Sequence, residues 1–174
     1  MISASAAREV LSRCEYILNG LRQEPTGIAW EVKFSAALAL LRSVGHVLKK
    51  TDSPTSSALK NEIDRWWKEI MANKSKHPIF WEFVEQERNL ILKENQVRAG
   101  QSAMIFLQGV SATGIAAGQE PPPAPTQTNT PKAIYSYHMN EGPFIGRDPR
   151  DLIEDAIRWW HEQIINIEKR ANTP

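Results

Sequence analysis

Residues 28–50 read IAWEVKFSAALALLRSVGHVLKK, and this stretch decides the fold. Trp30, Phe34, Ala37, Leu41, Val44 and Leu48 recur every three or four residues, which sets them on one stripe of an α-helix. Leu38, Leu40 and Val47 widen the stripe, so the helix is expected at the centre of the fold, covered on more than one side. Lys49 and Lys50 fall in its last turn, where cations complement the negative end of the helix dipole.

Working outward, Val10, Leu11, Cys14, Ile17, Leu18 and Leu21 define a first helix from about Ser3 to Arg22, ended by Glu24-Pro25-Thr26-Gly27. After the central helix, Ser53-Pro54 reads as a cap and first-turn proline for a third helix carrying Leu59, Ile63, Trp66, Trp67 and Ile70. Asn73 to Lys76 is a polar break. Pro78 opens a fourth helix, to about Gln96, with Ile79, Phe80, Phe83, Val84, Leu90 and Ile91 on one face. Glu87 falls within that apolar face, and a carboxylate there needs a partner.

The chain then changes character. Arg98 to Ala117 is poor in charge, with Met104-Ile105-Phe106-Leu107 as a short apolar run that reads as a strand or a docked loop. Residues 118–132 hold Pro121, Pro122, Pro123, Pro125 and Pro131 and read as an extended loop or linker. Residues 133–145 alternate weakly and contain Gly142-Pro143, the pattern of a short strand or hairpin. Asp148-Pro149 caps a last helix, to about Arg170, with Ile153, Ala156, Ile157, Trp160, Ile164 and Ile167 on its stripe. The expected fold is all-α: an antiparallel up-and-down bundle of five helices, forming a single domain over 1–174, with a small extended or hairpin insert before the last helix. Arg65-Trp66-Trp67-Lys68-Glu69 is echoed by Arg158-Trp159-Trp160-His161-Glu162; two amphipathic helices that each set a Trp pair at the core's edge account for it without an internal repeat.

Composition narrows the function classes. With 41% hydrophobic and 24% charged residues, the 174-residue chain is of globular type and large enough for a real core. Its 21 basic and 20 acidic residues leave a net charge of +1, without the basic excess of a dedicated polyanion binder, though a local site remains open. One cysteine, Cys14, permits neither an intramolecular disulfide nor a cysteine-based metal site, and its place on the apolar stripe marks a small buried hydrophobe. Met1 to Arg8 lacks the regions of a secretory signal, and no apolar run approaches the roughly 20 residues of a membrane span, so a cytoplasmic protein without a membrane partner is expected.

The phosphate loop GxxxxGK[ST], the dinucleotide fingerprint GxGxxG, the nucleophile elbow GxSxG and the zinc motif HExxH are all missing. His46, His77, His138 and His161 are scattered and form no recognised ligand pattern, so no metal and no cofactor is expected. Two sets of residues stand out. Arg42 and His46 share a helical face with Lys49, as an anion-facing edge or a plain solvated one. The fourth helix carries Glu85, Arg88, Asn89 and Lys93, of which Glu85, Arg88 and Asn89 as ordinary surface residues would pair at i, i+3 and i, i+4.

The Arg88-Asn89 pair late in an amphipathic helix of a short bundle resembles the HEPN superfamily, a mostly prokaryotic group of four- and five-helix domains. The resemblance implies a homodimer whose motifs face each other, and a metal-independent RNase activity in many members; others are inactive or bind nucleotides. The family's motif is Arg, a polar residue that is often Asn, and His after four to six intervening residues. Here those three positions are Lys93, Glu94 and Asn95, so the histidine is missing. Cleavage through the 2′-hydroxyl needs a group that titrates near neutral pH, as His does and an unperturbed Lys does not. Lys93 would serve only if strongly desolvated; otherwise it is a cation beside Arg88 that holds a phosphate or a partner's carboxylate.

The leading expectation is an uncharacterised bacterial HEPN-like protein: a non-catalytic interaction or regulatory module and homodimer, with RNA or a partner protein as ligand. The first alternative is a weak metal-independent endoribonuclease of the toxin or defence type, with Arg88, Asn89 and Lys93 as catalytic residues and Glu85, Arg42 and His46 as binding residues. The second is a scaffold that binds a partner protein through exposed Trp66 or Trp159.

Overall fold

The computed structural model describes residues 2–23, 27–106 and 132–173. It is a helical bundle with one small antiparallel hairpin inserted before the last helix, as the periodicities predict. The first helix, α1 (Ser5–Gln23), buries Ala7, Val10, Leu11, Cys14, Leu18 and Leu21. Its main partner is α2 (Gly27–Val47), which buries Trp30, Phe34, Ala37, Leu38, Leu41 and Val44 and also packs on the fourth and last helices, so it is central. Burial pushes the Cys14 thiol up to about 12, and an inert apolar filler is the result.

α2 does not stop at Val47. It runs on through a π-type turn, Leu48–Asp52, in which Leu48 still faces the core. This wider turn brings the Asp52 carboxylate, only 2% exposed, to the start of α1, where it accepts from the backbone N–H of Ala6 at 3.0 Å and Ala7 at 2.9 Å. One carboxylate from 45 residues away thus satisfies two of the N–H groups that a helix start leaves unpaired. Glu168 supports the same end, accepting from the N–H of Ala4 at 2.9 Å and from Arg8 Nε at 3.0 Å. Burial alone would raise the Glu168 pKa, but the bonds from Arg8 and Ala4 outweigh it and hold the carboxyl below its usual range.

The expected cap of the third helix is corrected. Ser53 and Pro54 belong to a separate 3₁₀ turn, Ser53–Thr55, and α3 (Ser57–Ala72) starts after Ser56. The proline does open a first turn, but of the connector, because α2 overruns its expected end. The fourth helix is composite: a π-type stretch Ile79–Glu85, one α-helical turn α4 (Gln86–Asn89), and a second π-type stretch Leu90–Glu94. Asn95, at φ 52, ends it in the left-handed region that Asn tolerates. The Gln96 N–H returns to the Leu90 carbonyl at 3.2 Å.

Strands β1 (Ala99–Phe106) and β2 (Lys132–Met139) pair antiparallel, with Ala99 opposite Met139 and Phe106 opposite Lys132. The apolar run 104–107 is therefore strand up to Phe106; most of the proline-rich stretch 118–132 lies outside the described residues. Tyr137 ties the hairpin to the bundle, stacking on Trp30 at 5.1 Å, with the Arg150 guanidinium 4.0 Å over its ring. Asp148 caps the last helix, α5 (Pro149–Ala171), accepting from the Arg150 N–H at 2.8 Å, as its sequence predicts. The two Trp pairs behave alike. Trp66 and Trp160 meet in the core at 5.7 Å, while Trp67 and Trp159 are half-buried at its edge.

Candidate functional site

Glu87 has the partner its position demands. It is 1% exposed, and Arg98, just beyond the fourth helix, spans both its oxygens from Nε at 3.1 and 3.3 Å. The same guanidinium lies where a Cβ on Gly142 would be, 2.8 Å from Arg98 Nη1, and Gly142 holds φ +84. The glycine is required twice, for its backbone angle and for the arginine's room. This pair joins the fourth helix to the hairpin and the turn after it.

The candidate site lies where the fourth helix meets α2. Glu85 does not pair with its helix neighbours as the surface reading expects; it bridges to Arg42 Nε on α2. Both side chains are mostly covered, and the Arg42 guanidinium also sits 5.7 Å from the Phe80 ring centroid. One turn on, His46 is exposed, and its pKa is lowered. Partial burial is the main cause, followed by the charge of Arg42. Arg88 and Lys50 push the same way, and Glu85 opposes them. Arg88 is therefore close enough to act on His46, and the structure gathers Arg42, His46, Glu85 and Arg88 from two helices. Arg88 Nη1 donates to the Asn89 side-chain oxygen at 3.0 Å, a neutral acceptor.

Lys93 is exposed in the last turn of the fourth helix. Its exposure lacks the desolvation that a base role would need. Of the two Trp of the scaffold reading, Trp66 is 5% exposed, and Trp159, half-buried, stacks on Phe80 at 5.0 Å and donates from Nε1 to His77 Nδ1 at 3.3 Å.

The site has one feature that sequence reasoning missed. Between α2 and α3 a groove of about 150 Å³ is lined by Arg42, Gly45, His46 and Lys49 on one side and Ile63, Trp66 and Trp67 on the other. Only the α2 half, as a spacing of basic residues, was legible beforehand. Among the described residues no three of His, Cys, Asp and Glu are grouped to hold a metal ion, and no helix is long and apolar enough to cross a membrane. No protein-family model, curated protein or solved structure matches the chain.

Proposed function

We propose that the chain is a HEPN-like, non-catalytic interaction or regulatory module that binds a phosphate-bearing partner, RNA in the first instance, on the face shared by α2 and the fourth helix. One observation carries this. Glu85 is taken up by Arg42, while among the described residues Arg88 bonds to neutral Asn89 and stands near His46. A guanidinium so oriented offers its remaining donors to phosphate oxygens. The wide π-type turns on both sides of Arg88 fit the same reading, since such turns recur at functional sites. Homodimerisation through the fourth helix belongs to the proposal, supported by Leu92, 57% exposed on its last turns.

Fluorescence anisotropy with a short single-stranded RNA tests the site. Arg88→Ala should weaken binding about tenfold, the loss of one charge-assisted contact, and equal affinity for the two proteins would sink the proposal. Light scattering at high micromolar concentration tests the dimer; a monomer there would count against it.

One observation favours a second reading, a weak metal-independent endoribonuclease. His46 is exposed, held toward its neutral form, and close to Arg88, so an imidazole from α2 stands near the arginine although the fourth helix carries none. A neutral imidazole can accept the 2′-hydroxyl proton while arginine holds the phosphate. RNA cleavage without metal that disappears in both His46→Ala and Arg88→Ala would favour this reading over simple binding.

A further inference from the structure

We propose that His77 is a proton-operated latch with two positions: neutral, it holds Trp159 of α5, and protonated, it releases Trp159 and turns to Glu69 across the cleft between α3 and α5. The device is separate from the α2 and fourth-helix face and stands or falls without it.

A hydrogen bond sets the first position. Trp159 Nε1 donates to His77 Nδ1 at 3.3 Å, with the ring centroids 5.8 Å apart and the planes at 67°. An indole N–H only donates, so the Nδ1 it meets carries no proton, and the neutral imidazole keeps its hydrogen on Nε2. Trp159 is held in place from other sides, stacked on Phe80 at 5.0 Å and set edge-on to Trp160 at 4.8 Å. A proton on Nδ1 therefore turns two N–H donors on each other. It does so at the positive edge of the indole, where a cation gains least from the ring. The bond cannot survive protonation, and the imidazole is the partner with room to turn, since it is half-buried at the wall of a cleft.

His77 is also a joint. It follows the 3₁₀ turn Lys74–Lys76, and its carbonyl accepts from the N–H groups of Phe80 and Trp81, both at 3.1 Å, at the start of the fourth helix. Its bond to Trp159 thus ties this connector to α5. The charges around the ring set the resting state and the second position. Lys76 lies beside it on the connector, and Lys74 is turned over the Trp81 ring at 4.5 Å. Across the cleft, of about 270 Å³, Glu69 of α3 faces Arg170 of α5 at 3.1 Å, both about half exposed. Burial and Lys76 hold the imidazole neutral near pH 7, so the latch rests closed. Among the described residues Glu69 is the one carboxylate that lines the cleft, and it is the acceptor that an imidazolium turning from Trp159 meets there.

The test follows the His77 ring proton on Cε1 and the Trp159 indole N–H by NMR on the full chain from pH 8 to about 4.5, a range that brackets the lowered imidazole value. His77→Gln and Trp159→Phe assign the two signals. The Trp159 signal should step at the His77 midpoint, below the ordinary imidazole value near 6.5. In Trp159→Phe that midpoint should rise by about 0.5–1 pH unit, the worth of one hydrogen bond to the neutral ring. In Glu69→Gln, an exposed change that leaves the core alone, it should fall by about 0.3 pH unit, as one half-solvated ion pair is lost to the charged ring. A Trp159 signal that ignores the His77 midpoint, or that keeps its step in His77→Gln, overturns the latch. So does a midpoint that stays in place in Trp159→Phe; should that variant fail to fold, His77→Gln decides alone. A midpoint indifferent to Glu69→Gln overturns the second position and with it the two-position device.

Discussion

Glu85 and Glu87 stand two residues apart on the fourth helix, and each meets an arginine from elsewhere in the chain. Their surroundings set them to different work. Glu87 is closed off from water, and Arg98 answers its charge one for one, so the pair holds the hairpin to the helix. Glu85 meets Arg42 in a partly open setting where Arg88 and Lys50 add positive charge that it does not cancel. The first pair is complete in itself. The second orders one arginine and leaves a cationic surplus facing outward. A matched, buried pair marks structure, and an unmatched, half-open cluster marks a site where something else completes the charge.

The strongest way to break this comparison is to remove Arg98. Arg98→Ala leaves Glu87 buried without a partner, and the expected cost is about 3–5 kcal/mol, measured by chemical denaturation. A loss below about 1 kcal/mol would mean that water already reaches Glu87 and that the two acids do not differ in kind. Asp52 belongs with Glu87, since both are buried and both fix a helix end or junction. Asp52→Ala should destabilise by about 1–2 kcal/mol through the lost cap on α1, with little effect on RNA affinity.

Glu85→Gln sharpens the contrast because its two effects have opposite signs. Stability should fall by no more than about 1 kcal/mol, since the Arg42 pair is partly solvated and Gln keeps a hydrogen bond. RNA affinity should rise by a few-fold, because a negative charge has left a cationic face. If affinity falls instead, Glu85 acts by aiming Arg42 rather than by neutralising it, and Arg42 becomes the contact to test.

The helices were legible in the sequence because an apolar stripe is a one-dimensional signal. Trp30 to Leu48 give the central helix, and Glu87 announces a hidden partner by standing in an apolar face. What escaped has a common physical cause. Carrying α2 past Lys50 to Asp52 is worth little in local propensity; it is settled when Asp52 reaches the start of α1, a tertiary event. The supposed cap at Ser53-Pro54 failed for the same reason. Arg42, His46, Glu85 and Arg88 were each marked as candidates, but as two separate faces. Their meeting depends on how two helices cross, which no spacing along either helix encodes. The exposure of Lys93 was likewise not encoded in its spacing from Arg88.

The smallest expected effect separates binding from cleavage. The His46 pKa is lowered by partial burial and by Arg42, Arg88 and Lys50, with Glu85 opposing. A depressed folded-state pKa contributes stability above the unfolded value, near 6.5, that is lost as pH falls through the folded value. His77 adds a slope of the same sign, because burial and Lys76 lower its pKa and Trp159 donates to its unprotonated Nδ1. Phosphate beside His46 reverses the balance of charge around the ring and favours its protonated form. RNA binding therefore takes up a proton, and affinity should rise a few-fold between pH 8 and 6, with the rise abolished in His46→Gln. RNA phosphodiesters do not titrate in that range, so the slope belongs to the protein. Catalysis by His46 as a base demands the neutral ring and has the opposite slope: the rate at saturating RNA should fall toward pH 6 while binding tightens. A pH-independent affinity would place His46 outside the phosphate site, and Arg88 would then act with the lysines of α2 alone.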